Sequence, residues 1–122
     1  MAYSAYLISA ESRAVILSRF PPKFGDVICH HVTERFGVPK SRKFLPQPAQ
    51  IVVVGYACDV SLEALVVTVN GMTTRPDGMV YHITLSLERS KGRKPVESNH
   101  LIASAGWSNA EPLPIEAIPQ VF

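Results

Sequence analysis

Two short stretches carry residue types that can do acid and base chemistry near neutral pH: His31-Val32-Thr33 and His82-Ile83-Thr84. In an extended strand, side chains two residues apart leave the same face about 7 Å apart, so each stretch sets an imidazole beside a hydroxyl. Chance alone would place about 0.16 such triplets in a chain with this histidine and threonine content. Two imidazoles converging on one phosphorus would suffice to open a phosphodiester. One takes the proton from the attacking oxygen and the other protonates the departing one, and an ordinary pKa of about 6.5 suits imidazole to either task. The hydroxyls of Thr33 and Thr84 could donate to the charge that builds on the non-bridging oxygens. This chemistry calls for no metal or other cofactor, and the sequence leaves open which histidine is the base.

The flanks set the expected faces. Around the second triplet, Tyr81, Ile83, Leu85 and Leu87 make one apolar face, and His82, Thr84, Ser86 and Glu88 make the other. Ser86 and Glu88 are thus placed to orient a histidine or a water. Around the first, Cys29, His31, Thr33 and Arg35 share a face, opposite Ile28, His30, Val32, Glu34 and Phe36. Arg35 would lie one pleat beyond Thr33, within reach of a phosphate, as would cations of the Arg89 to Lys94 loop unless that loop is only a solvated turn. Tyr3, Tyr6 and Trp107 are candidate platforms for a nucleobase, the alternative for each being a place in the core. His30 reads as a core-side histidine and His100 as an exposed one. Adjacent strand positions point apart and no Cys/His spacing matches a metal site, so no metal ligands are assigned; nor does Cys29 have a recognisable partner that would make it a nucleophile.

The two triplets, on strands with hydrophobic flanks, resemble the signature of the two-histidine (2H) phosphoesterase superfamily over the stretch from Asp26 to Leu101. The first triplet departs from the pattern in being followed by Glu34-Arg35 rather than an apolar residue. The resemblance implies a cleft lined by two strands, with His31 and His82 as general acid and base and Thr33 and Thr84 as phosphate binders. It also implies a 2',3'-cyclic phosphate or another 2'-linked nucleotide or RNA-end phosphodiester as substrate. A cyclic-oligonucleotide signal is a further candidate within that class. The alternatives from other classes are a non-catalytic RNA- or nucleotide-binding module and a structural protein with ordinary strand histidines.

The elements that must position these residues are short. Ten prolines in 122 residues work against long helices and favour a mainly β chain. Strands are expected over Ala2 to Ile8, Asp26 to Phe36, Gln50 to Cys58, Leu62 to Val69 and Met79 to Glu88, with an edge strand near Ile115 to Val121. The pair Leu62–Val69 and Met79–Glu88 should form a hairpin, turned at Asn70-Gly71 or at Arg75-Pro76-Asp77-Gly78. Glu11 to Arg19 reads as a short helix stopped by Pro21-Pro22, with a helical turn near Ser98 to Ala103. The fold class is therefore α+β: one domain of mainly antiparallel sheets forming a cleft, with one or two short helices. An apolar content of 47% supports a core without disulfides, and Cys29 and Cys58 read as reduced thiols. A net charge of +2 is too small for a polybasic coat and favours small substrates over long RNA. With no apolar run of membrane-spanning length and no secretory signal pattern, the expectation is a cytoplasmic monomer with no membrane attachment and no obligatory protein partner.

Overall fold

The structure, a computed structural model, describes residues 2–122. In chain order the elements are β1 (Ala2–Ile8), α1 (Ala10–Arg19), β2 (Asp26–Val27), β3 (His31–Val38), β4 (Ile51–Cys58), β5 (Leu62–Val69), β6 (His82–Leu87), α2 (Glu97–Ala105), β7 (Ser108–Ile115) and β8 (Ala117–Val121). Short 3-10 turns lie at Arg42–Phe44 and Arg89–Lys91. The strands form two antiparallel sheets, ordered β3-β1-β8 and β2-β6-β5-β4-β7. The expected α+β class with antiparallel sheets and two helices is thus found.

One apolar core lies between the sheets. Tyr6, Ile8 and Val32 enter it from the smaller sheet, Val53, Leu65, Val67, Ile83 and Leu85 from the larger one, and Ile16 from α1. The other face of the larger sheet packs its Ala57, Ala64 and Val66 against Leu101 and Ile102 of α2. That two-sided burial is why β4 and β5 read as nearly unbroken apolar runs. The outer face of the smaller sheet stays open, with Phe36 64% and Ile118 57% exposed. Helix α1 starts at Ser9, whose hydroxyl accepts from the Ser12 N–H at 3.1 Å, and Glu11 and Arg19 sit at the ends that favour their charges. Among the described residues no helix is long and apolar enough to cross a membrane.

One stretch expected as a single strand serves both sheets, and a strand not expected from the sequence, β7, precedes the expected C-terminal edge strand. The span Asp26 to Phe36 divides into β2 and β3 because Cys29 adopts φ +44, a left-handed conformation that turns the chain out of one ladder and into the other. Arg13 of α1 braces the turn by donating to the Ile28 and Cys29 carbonyls at 3.3 and 3.1 Å. The C-terminal segment likewise divides at Glu116, β7 joining the larger sheet and β8 the smaller. Both are edge strands, which suits Pro112, Pro114 and Pro119, since proline cannot donate to a ladder on both sides. The expected β5–β6 hairpin is present with Leu65 opposite Ile83. Both candidate turns are used: Asn70 (φ +49) and Gly71 (φ +80) make the tight turn after β5, and the Gly78 N–H bonds the Arg75 carbonyl at 2.9 Å further on.

Candidate active site

The seam between the sheets positions both histidines. β2 pairs with the edge of β6, Asp26 opposite Leu87 and Val27 opposite Ser86. The contact continues as the N–H groups of Ile28 and Cys29 bond the carbonyls of Leu85 and Thr84, each at 2.9 Å. Past the left-handed Cys29 the chain leaves β6 to pair with β1 as β3, and His31 at its start lies within electrostatic reach of His82 at the start of β6. Val32 and Ile83 point into the shared core, so alternation sends His31 and Thr33 to the open outer face of the smaller sheet and His82 and Thr84 to the outer face of the larger sheet, where α2 packs. His31 and Thr33 stand opposite Leu7 and Ala5 of β1, and His82 and Thr84 opposite Val66 and Ala64 of β5.

Both imidazoles have lowered pKa values. His82 is only 9% exposed, and its Nδ1 lies 2.9 Å from the Val80 carbonyl. A carbonyl can only accept, so Nδ1 carries the proton and Nε2 keeps its lone pair. Burial lowers the His82 pKa, Arg75 adds to the lowering, and the Val80 bond and Asp77 oppose it. His31 is half-buried; burial pushes it down to about 4, and the neighbouring imidazoles of His30 and His82 push the same way. Its Nδ1 is 2.9 Å from that of His30, and the rings of Tyr3 and Phe122 flank it at 5.2 and 5.7 Å.

The remaining expected site residues fall differently. Thr33 is half-buried on the open face. Thr84, by contrast, donates to the Pro95 carbonyl at 3.2 Å and shares a 2.9 Å bond with the Ser98 hydroxyl. Its only proton is used, so Thr84 anchors α2 to β6 and does not serve a phosphate. Ser86 does not share the His82 face. Leu85 has no partner on β5, and this bulge turns Ser86 to face Glu63, whose carboxyl it bonds. Arg35 is displaced in the same way: Glu34 is unmatched between Thr33 and Arg35, so Arg35 stands opposite Ser4 rather than on the side of Ala5. Tyr6 points into the core, 4% exposed, with its hydroxyl donating to the Gln47 carbonyl at 3.0 Å, and offers no stacking face. Trp107 lies over Gly55 of β4, two strands from β6 in the sheet order, or about 10 Å away.

Other residues occupy the places those were expected to fill. His30 is exposed and bonded to His31 rather than facing the core, because the left-handed Cys29 breaks the alternation. Burial raises the Cys29 thiol to about 11 although Arg13 opposes this, so it remains a thiol at neutral pH. Arg75 was legible only as part of a turn; its side chain is buried, bonds Asp77 at 2.6 Å, leaves Nε without a partner, and acts electrostatically on His82. Arg93 of the second basic loop clamps Asp59 through two bonds of 2.9 and 3.0 Å and reaches Glu97 at 3.2 Å; its role is structural. Among the described residues no three of His, Cys, Asp and Glu gather as a metal centre would require. Compared with protein-family models, with curated proteins and with solved structures, the chain matches none.

Proposed function

We propose that the protein is a phosphodiesterase of the two-histidine kind, acting without a metal on 2',3'-cyclic phosphates or related 2'-linked nucleotide and RNA-end phosphodiesters. The observation that carries the reading is that His31 and His82, each turned away from the shared core, lie within electrostatic reach of one another just past the Cys29–Thr84 main-chain bond. A phosphodiester anion between them would offset the burial that lowers both pKa values, so substrate binding and protonation of one imidazole favour each other. The protonated ring then protonates the departing ribose oxygen while the neutral one takes a proton from water. The Thr33 hydroxyl and the Arg75 guanidinium supply donor and charge for the non-bridging oxygens.

The engagement of Thr84 by Ser98 and Pro95 favours one second reading, a nucleotide-binding module without turnover. Product analysis distinguishes the two. Pure protein is incubated with chelator and a panel of 2',3'-cyclic nucleotides, 2'-5' and 3'-5' dinucleotides and cyclic di- and trinucleotides. His31→Ala and His82→Ala should each lower turnover by roughly 10² to 10⁴ with little change in binding. Absence of any hydrolysis by the unaltered protein, or turnover indifferent to both substitutions, refutes the enzyme.

A further inference from the structure

Three aromatic rings cross the open face of the smaller sheet in a row. Tyr3 of β1 stands opposite Phe36 of β3 and exchanges main-chain hydrogen bonds of 3.1 and 2.9 Å with Phe122, just beyond β8. Its ring stacks on Phe36 at 5.8 Å with 8° between planes and lies 5.4 Å from Phe122. The row abuts the candidate site through the Tyr3 and Phe122 contacts to His31, and its far end, Phe36, is the ring most open to solvent.

From Phe122 a cavity of about 520 Å³ passes Gly37 and Pro39 to Lys40. Lys40 and Arg42 then line a second cavity of about 440 Å³ whose opposite wall is Pro119 and Val121 of β8. Lys40, Arg42 and the adjoining Lys43 are exposed, and none of them has an acidic partner among the described residues, whereas Lys91 and Arg93 of the other basic loop are paired with Glu88, Asp59 and Glu97. Unpaired cations along a groove that begins at a row of rings are the two components that hold single strands: cations follow the backbone, and rings stack bases of any identity. A bilayer would need such cations on a convex surface; Lys40 and Arg42 line concavities.

We propose that the Phe36–Tyr3–Phe122 row and the Lys40 to Lys43 loop form a docking track for single-stranded nucleic acid, so that the natural ligand is a strand of several nucleotides with its end at His31 and His82, rather than a lone mononucleotide. The proposal rests on the phosphodiesterase reading, since the track leads to that site.

Fluorescence anisotropy with a labelled single-stranded RNA of about six nucleotides, competed by a 5'-mononucleotide, reads binding apart from turnover. The strand should bind at least tenfold more tightly than the mononucleotide. Replacing Lys40, Arg42 and Lys43 together by alanine should weaken strand binding by tenfold or more and flatten its salt dependence by about 2 in log–log slope, from about 0.7 per phosphate contact. Phe36→Ala should weaken it roughly tenfold, from the loss of one stacked base. Thermal melts confirm that these surface variants fold. Equal affinity for strand and mononucleotide, or strand binding unmoved by either variant, overturns the track. So does loss confined to binding of vesicles of anionic lipid. Hydrolysis of cyclic mononucleotides without strand binding would remove the track and leave the phosphodiesterase; variant-sensitive strand binding without hydrolysis would do the reverse.

Discussion

Acidifying the protein from pH 7 to pH 5 should destabilise it through His31. Burial, with His30 and His82 adding to it, holds the folded imidazole at about 4, against 6.5 for the ordinary group. A lowered histidine value means that the unfolded chain takes up the proton first. Stability is therefore complete above about pH 6.5, falls as the pH drops through that value, and levels off only below about pH 4. At about 1.4 kcal/mol per pH unit the whole interval amounts to about 3 kcal/mol, of which about 2 is lost by pH 5. Solvent access to the ring on the open face trims this to between about 1 and 2 kcal/mol. That is measurable against a total of about 5–15 kcal/mol. Urea titrations of the unaltered protein and His31→Gln at both pH values make the comparison, because glutamine does not titrate and its stability should fall less by that amount. His82→Gln should act in the same direction, since burial lowers His82 as well. Burial alone would raise Asp59 and Asp77, but hydrogen bonds from Arg93 and Arg75 hold them below 3.8, so their losses fall at lower pH than this window. Identical pH dependence in the unaltered protein and the Gln variant would refute the placement of His31 as a half-buried group of lowered pKa beside His30 and His82.

Catalysis that needs one proton shared between His31 and His82 should give kcat/KM a maximum below pH 6.5, because both groups are lowered in the free protein and kcat/KM reports that form; a pH profile with its maximum above about 7.5 would contradict this. Glu63→Ala should lower stability by about 3 kcal/mol in urea titrations. It would strip the Tyr56 hydroxyl, the Ser86 hydroxyl and the Lys23 N–H of their shared acceptor in a site where Glu63 is 1% exposed; a loss under about 1 kcal/mol would show that water replaces it. Gly55→Ala would drive a methyl group into the Trp107 indole and should lower the melting temperature through about 1–3 kcal/mol of overpacking, and an unchanged melt would show that the indole moves aside freely.

What period-two alternation carries was legible in the sequence, and what irregular backbone carries was not. Leu62–Val69 is a strand with the expected bounds, and the faces of His31 and His82 follow from Val32 and Ile83 being apolar neighbours that must be buried. Arg35 and Ser86 were assigned by the same alternation and lie elsewhere, because an unmatched residue at Glu34 and another at Leu85 each reverse the parity. Nothing in the residue types marks either bulge. Glu63 is hidden for a different reason: a carboxyl in an apolar strand is buried here only because Tyr56, Ser86 and Lys23 converge on it from three other segments. The Phe36–Tyr3–Phe122 row joins both ends of the chain, so only the pairing of β1 with β3 and β8 reveals it.

The same irregularities explain why the site lies at the seam. The β2–β3 segment serves both sheets by abandoning the β6 edge after Cys29. Up to Thr84 the two strands are held by main-chain hydrogen bonds, which leave no room for a ligand between them. Beyond it β3 pairs with β1 and β6 with β5, and His31 and His82 lie within electrostatic reach of each other past the last hydrogen bond between the two segments. The groups around this point are fixed from outside it: His82 by the Val80 carbonyl, Thr84 by α2, and the turn at Cys29 by Arg13. Under the proposed function, histidines placed where pairing stops would combine access for a substrate with the rigidity of the strands that carry them.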